Sequence, residues 1–352
     1  MKKLFFILFI IITLIVGVGC TVDGQEKLEE LNLETTKENV DEKILIYVSG
    51  PEEMLNKLEI AFEEEHGDVC DMLKMSCGQI RSKVWTEHEA GKIQADVVWG
   101  SDPLIYNKLD DKELLKDITL KEIENIEGEY IVTDRNYVFV NERYVVIMYN
   151  KNKFEDIEVP KGYNELMDGK HSNMLVMADA NQSSTALGIA SALYQINGNG
   201  IEYFKNLHDN GTFLTKSNGQ VSSKIMEGQF NLGIAPHDGV VRLANKAKKE
   251  GYEMPVSIIW PNEGAIAIQR PIAIIKDDSR SENKEEVASK FIDFMVSKKA
   301  QTITDNFGFV SVRKDIENRY KPDGKVVNKI DWEMASEHED TLKKQYQEIF
   351  QK

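Results

Sequence analysis

The sequence predicts an α/β protein in two lobes, on three observations. Between Ile44 and Trp99, short apolar runs rich in β-branched residues alternate with stripes of helical period. From Met174 the same alternation starts again. Behind an N-terminal segment of different character lie about 310 residues, enough to bury two cores of ordinary size.

That N-terminal segment opens Met1-Lys2-Lys3, followed by an apolar run from Leu4 to Val18, broken only by Thr13, that ends in Gly19-Cys20. A basic head, an apolar middle and a small-residue end make a secretion signal, residues 1–19. The run is shorter than the roughly 20 apolar residues of a spanning helix, and no second run of that length follows. Cys20 stands where a bacterial lipoprotein carries its lipid, although Gly17 occupies the position, three before the cysteine, where Leu is usual. An ordinary signal-peptidase site beside a chance cysteine is the alternative. Both readings export the protein, to the outer face of the cell membrane as a lipid-anchored protein or to a periplasm. Residues 20–42 continue as a strongly acidic stretch without aromatic residues or apolar period, a solvated tether that cannot bury enough surface to fold.

The elements then follow in order. Ile44 to Val48 is a buried strand that turns at Ser49-Gly50-Pro51, and Glu52 to Glu65 is a helix with apolar residues at Met54, Leu55, Leu58, Ile60, Ala61 and Phe62. A strand around Val69 to Met75, a helix from about Gln79 to Glu89 and a strand Ala95 to Trp99 complete a βαβ rhythm. Tyr144 to Tyr149 is the next strand, where the chain first crosses between lobes. The second unit begins with Met174 to Ala178, a helix from about Thr185 to Tyr194, and a strand Phe230 to Ala235 running into Pro236-His237-Asp238-Gly239. Pro255 to Trp260 and Ala265 to Ile268 are strands parted by Pro261-Asn-Glu-Gly264, and after Arg270-Pro271 the run Ile272 to Ile275 returns to the first lobe. Helices over Glu285 to Met295 and Lys298 to Asn306 precede Gly308 to Arg313. These elements give a first lobe of 43–146 plus 268–318, a second of 147–267, and a charged C-terminal helical segment, 319–352, with an apolar seam.

Charge and cysteine content narrow the function. The chain carries 43 basic and 59 acidic residues, a net charge of −16 that becomes −18 once Lys2 and Lys3 leave with the signal. Nucleic acid needs a basic face, so it is excluded as a partner, and so is docking on anionic lipid. An anionic small molecule remains compatible, because net charge says little about one pocket. Cys70 and Cys77, seven residues apart on a presumed strand, are too far apart for a disulfide and read as small apolar residues, with no metal site and no cofactor beside them.

Several short stretches together resemble a known family. They are Ala95-Asp-Val-Val-Trp-Gly100, Val146-Ile-Met-Tyr-Asn150, the Ala178-Asp179 strand end before Ser183-Ser184-Thr185, the Pro261-to-Gly264 turn and Gly308-Phe-Val-Ser-Val-Arg313. In order and spacing the chain resembles the extracellular solute-binding proteins of ABC importers, related to ferric-iron-binding and hexose-phosphate-binding proteins. The resemblance implies a periplasmic-binding-protein-like (type II) fold with two mixed or parallel sheets, flanked by helices, hinged by two crossing strands and closing on ligand as a clamp. It also implies an ABC permease and ATPase as partners, or a sensor kinase of a two-component system, and a protein that acts as a monomer.

Two ligand patterns compete within that family. Ferric-binding members hold the metal with an adjacent Tyr-Tyr pair, and this chain contains none. Pro236-His237-Asp238 instead resembles the His-Asp pair that hexose-phosphate-binding members use for sugar hydroxyls. Ser183-Ser184-Thr185 at a helix start can surround a phosphate with hydroxyls and free N–H groups, or can simply cap the helix. Ser49, Gly50, Gly78, Gly100 and Ser101 stand at strand ends, where ligands bind in such sheets and small residues permit close backbone approach. Glu263, in the Pro261-to-Gly264 turn, is placed on the ligand by the resemblance, and its carboxylate would accept from hydroxyls or an amine. Trp99, Tyr149 and Trp260 flank the expected cleft, to stack on a ring or to fill the core. The favoured ligand is a small phosphorylated organic solute; an aminophosphonate, pyridoxal phosphate or ferric ion is the alternative. No nucleophile elbow, zinc-protease motif, P-loop or dinucleotide turn points to an enzyme, and His66 and His88 lie among charged residues of helices.

Overall fold

Strand β1 (Ile44–Val48), helix α1 (Glu52–His66), β2 (Cys70–Lys74), α2 (Cys77–Glu89) and β3 (Val97–Trp99) alternate in the predicted order, and β1 pairs in parallel with both β2 and β3. The computed structural model describes residues 43–351 apart from 133, 155–157, 197 and 199, so the signal, Cys20 and the tether lie outside the described residues. Helix α2 starts two residues earlier than predicted because Ser76 and Gln79 form a capping box, each side chain accepting from the other's backbone N–H. An unpredicted α3 (Pro103–Asp110) follows, with proline in its first turn, where the missing N–H costs nothing.

The chain then runs through β4 (Val138–Asn150), β5 (Leu175–Ala178), α4 (Ser184–Ile196), α5 (Ile201–Asp209), β6 (Phe213–Thr215), α6 (Asn218–Met226), β7 (Leu232–Pro236), α7 (Asp238–Glu250), β8 (Val256–Ile259) and β9 (Ala265–Ile274). Helices α8 (Glu282–Val296) and α9 (Lys298–Asp305), strands β10 (Val310–Ser311) and β11 (Val327–Asn328), and helices α10 (Trp332–Glu337) and α11 (Glu339–Phe350) complete it. No described helix is long and apolar enough to cross a membrane.

The expectation of two sheets is corrected to one continuous sheet of 11 strands among the described residues, ordered β2-β1-β3-β9-β4-β7-β5-β6 along its main path. The cause is strand length. β4 pairs β9 along most of its course, while the far end of β9 pairs β3 and the far end of β4 pairs β7. β9 is also one strand where two were predicted. Pro271 fits because the β4 register shifts opposite it, between Phe139 and Asn141.

The apolar core separates along the same line. One cluster gathers residues 44–140 and 272–312, with Trp99, Phe62, Phe291 and Phe309 among its largest side chains. Two further clusters gather β4, β5, β7 and the helices around them, and the seam of the C-terminal helices, Trp332, Leu342 and Tyr346, joins one of these.

Candidate ligand-binding site

Ser49, Gly50, Ser101, Ser183, Thr185 and Asp238, distant in sequence, line one cavity of about 640 Å³. Each stands where a strand gives way to a helix. Ser76 and Cys77 of α2 and Ser217 to Gly219 of α6 complete the wall, so four helices, α2, α4, α6 and α7, present their N-termini to the same space. A helix N-terminus carries unsatisfied N–H groups and the positive end of the peptide dipoles, which favours an anion.

Three guanidiniums reach the same cavity, Arg143 of β4, Arg242 of α7 and Arg270 of β9. Arg270 is 1% exposed and lies between two rings, its guanidinium carbon 4.3 Å from the centroid of Trp99 and 4.6 Å from that of Phe309. Its Nε donates to Ser101 Oγ at 2.8 Å, one terminal nitrogen to Asn141 Oδ1 at 3.4 Å and the other to the Ser49 carbonyl. Burial, and then the neighbouring Arg143 guanidinium, lower its pKa to about 9, which leaves it charged at pH 7. The Arg143 guanidinium carbon lies 5.9 Å from the centroid of the same Phe309 ring, and its buried Nε has no hydrogen-bond partner.

The counter-charge is Asp238, 2% exposed. Arg242, one helical turn on, donates to its Oδ2, and Arg143 Nη1 lies 3.5 Å from its Oδ1. Burial pushes this carboxyl up, but Arg242, Arg143 and His237 outweigh it and hold the group below the usual carboxylate range. At the rim, Lys74 is matched by Glu52 at 2.9 Å. Three arginines against one carboxylate leave the cavity positive in a chain whose net charge is −16.

The remaining predicted residues occupy other places. Gly78 and Ser184 line an adjoining trench of about 750 Å³ that shares Met75, Ser76, Gln79 and Ser183 with the cavity. A Cβ on Gly78 would lie 3.3 Å from the Gln182 carbonyl, so a small residue lets α2 approach the loop before α4. Ser183 Oγ accepts from the Ala186 N–H at 3.3 Å and so caps α4, while Thr185 Oγ1 donates to the Ser101 carbonyl at 3.1 Å. Gly100 lies behind Ser101, its N–H donating to the Pro271 carbonyl at 3.3 Å.

His237, 2% exposed, sits beneath Asp238 outside the cavity wall. Its Nδ1 accepts from the Tyr144 N–H at 3.0 Å, its ring stacks on that of Tyr144, and burial lowers its pKa to about 4, so it is neutral at pH 7. Glu263 is not brought to the cavity. Its carboxylate accepts from the Tyr163 and Asn164 N–H groups at 3.1 and 2.9 Å, and it is not among the residues that line the cavity. The flanking aromatics serve the fold: Trp99 is a platform for Arg270, Tyr149 packs edge-on against Phe154, and Trp260 donates to the Val326 carbonyl. Cys70 and Cys77 are free thiols, and Cys77 Sγ lies in the cavity wall, 3.0 Å from Ser49 Oγ.

Sequence reasoning missed the arginines. A signal existed, since Arg143 and Arg270 each stand in a short polar break between two apolar β runs, where a charge is rare unless it is paired or functional. Arg242 follows Asp238 at the i,i+4 spacing of a helical ion pair.

Known proteins share this arrangement of elements. In fold, the chain is similar to iron-bound HitA from Pseudomonas aeruginosa, with a TM-score of 0.74 and 18% identity over 87% of this chain and 99% of that one. It is equally similar to the periplasmic binding protein AfuA from Actinobacillus pleuropneumoniae, solved with exogenous fructose-6-phosphate bound, at 0.74 and 20% identity over 88% and 98%. A periplasmic thiamin binding protein matches at 0.73 and 15% over 87% and 96%. At such identities these likenesses speak for the fold alone. The profile of one family, described as bacterial extracellular solute-binding protein, matches residues 94–338, well over half of the chain, and this protein therefore belongs to that family.

Proposed function

We propose that the chain is the solute-binding component of an ABC importer, anchored through Cys20, that captures a small phosphorylated organic solute of the hexose phosphate kind. The observation that carries this reading is the convergence of Arg143, Arg242 and Arg270, opposed among the described residues by Asp238 alone, on the N-termini of four helices. Guanidinium forks and helix N-termini are the two protein devices best suited to a phosphoryl group. Ser49, Gly50, Ser101, Ser183 and Thr185 supply the surrounding small surface, and the trench at Gly78 and Ser184, lined by Asn181, Gln182 and Gln79 as well, offers amides and hydroxyls to the rest of the solute. A fructose-6-phosphate complex of a protein with the same fold favours the same ligand class.

In this reading the cores on either side of β4 and β9 are two lobes, 43–146 with 268–318 and 147–267, and the solute bridges them and shifts the population toward the closed form. The role is binding without catalysis. Thr185 and Ser101 are engaged with a carbonyl and a guanidinium, and His237 is turned to the Tyr144 backbone.

A thermal-shift screen of the mature protein tests the reading with fructose 6-phosphate, pyridoxal phosphate, an aminophosphonate, inorganic phosphate and ferric citrate. A ligand at 100 times its dissociation constant stabilises the folded form by about 2.7 kcal/mol. A shift with a phosphorylated compound, absent with its dephosphorylated analogue, is the expected result. A shift with ferric ion alone replaces this reading with iron transport.

A further inference from the structure

The cavity's charge count says more than its sign. We propose that the site, if it holds a phosphoryl group as proposed for its function, takes that group as the dianion, and thereby selects phosphomonoesters over sulfate esters, phosphodiesters and carboxylates of similar shape.

The charged and titratable groups facing the cavity are few. β4 contributes Arg143, β9 contributes Arg270, α7 contributes Arg242 and Asp238, β2 contributes Lys74 and α2 contributes Cys77. Lys74 is matched by Glu52 at the rim, and His237 beneath Asp238 is neutral at pH 7. Three positive charges minus one negative leave two, which a dianion cancels and a monoanion does not. An uncompensated buried charge is costly, and here the excess cannot drain into solvent at Arg270, which is 1% exposed and held between Trp99 and Phe309.

The hydrogen-bonding inventory points the same way. A singly protonated phosphate brings a P–OH that needs an acceptor. Of the Asp238 oxygens, Oδ2 already accepts from Arg242, and Oδ1, which has no hydrogen-bond partner, lies 3.5 Å from the Arg143 Nη1 cation that competes for it. Arg143 Nε, buried and without a partner, is a donor and calls for an acceptor oxygen. Three guanidiniums and several helix N-termini against one carboxylate make the wall richer in donors than in charged acceptors, as a fully ionised phosphoryl requires.

Calorimetric titration of the mature protein with fructose 6-phosphate and fructose 6-sulfate between pH 5 and pH 8 tests this. Phosphomonoesters lose their second proton near pH 6, so affinity for the phosphate should rise by about tenfold per pH unit below that point and level off above it. The sulfate ester, a monoanion throughout, should bind about 10- to 100-fold more weakly at pH 8 without such a rise. Arg242→Gln, which removes one charge at a partly exposed position, should shrink that discrimination by about tenfold. Cys77→Ser should keep the pH profile, which assigns it to the ligand. A flat profile, equal binding of the two esters, or affinity that falls with rising pH because Asp238 accepts a P–OH would overturn the dianion while leaving the phosphoryl site standing. Binding of neither ester, nor of inorganic phosphate, at any pH overturns both.

Discussion

Arg270 shows how a single side chain is fixed as a recognition element. Two rings clamp the plane of the guanidinium, and hydrogen bonds to Ser101, Asn141 and the Ser49 carbonyl fix its rotation within that plane. Lysine keeps the charge but loses the fork and the flat stacking surface. Arg270→Lys should leave the far-UV spectrum unchanged and weaken ligand binding by roughly 1.5–3 kcal/mol, the range of a charge-assisted hydrogen bond, as read by calorimetry. His237 works by staying neutral. Its pKa falls to about 4 in the folded protein, against an ordinary value of 6.5, so between those limits the unfolded chain binds the proton and the folded one does not. Stability is therefore full above about pH 6.5 and is lost as pH falls toward 4, by roughly 3 kcal/mol in all. His237→Asn, whose Oδ1 can still accept from the Tyr144 N–H, should flatten urea-unfolding stability across that window.

The turn between α9 and β10 packs directly against the start of α7, where Asp238 stands. Gly308 there has φ of +90°, and a Cβ on it would stand 2.9 Å from Asp238 Cα and 3.0 Å from Val241 Cβ. The neighbour is backbone and cannot rotate away. Gly308→Ala should cost on the order of 2–3 kcal/mol in denaturant unfolding, and should weaken ligand binding as well, because the turn packs Gly308 against the start of α7 and presents Phe309 to Arg270. Legibility in the sequence also follows the elements. β1, β3, β5 and α1 were readable because each buries most of one face or all of itself. α6 and α7 were not, since α6 buries only Val221, Ser222 and Ile225, α7 buries little beyond its first turn and Ala247, and β6 has three residues. Hydroxyls at strand ends were legible as site residues because strand ends can be placed from apolar runs alone. The arginines were not, because their convergence depends on the register of β4 against β9 and on a helix the pattern did not reveal.

Across the whole molecule, the C-terminal helices tie two of the core clusters together through one buried carboxylate. Glu339 of α11, 1% exposed, accepts from Arg81 of α2 at 2.5 Å and from Lys343, and pairs with Lys108 of α3 at 2.9 Å, while Arg81 also makes two bonds to Asp102. The same segment packs Tyr346 against Phe204 of α5, and Trp332 donates to Gln269 of β9. Burial raises the Glu339 pKa, but Arg81, Lys343 and Lys108 outweigh it and bring it to about 2, below the ordinary 4.5. A depressed carboxyl adds stability that is full above about pH 4.5 and is lost as pH falls toward 2, roughly 3 kcal/mol in all. Glu339→Gln removes that contribution yet strands no cation completely: Arg81 keeps Asp102, and the Lys108 and Lys343 side chains are 31% and 34% exposed. The variant should therefore fold, be less stable than the parent by about 2–3 kcal/mol at pH 7, and close that gap progressively between pH 4.5 and 2. Urea unfolding at a series of pH values reads both quantities. A gap that stays constant through the acid range would mean that packing of α11, and not the ionised carboxylate, is what joins the C-terminal helices to α2 and α3.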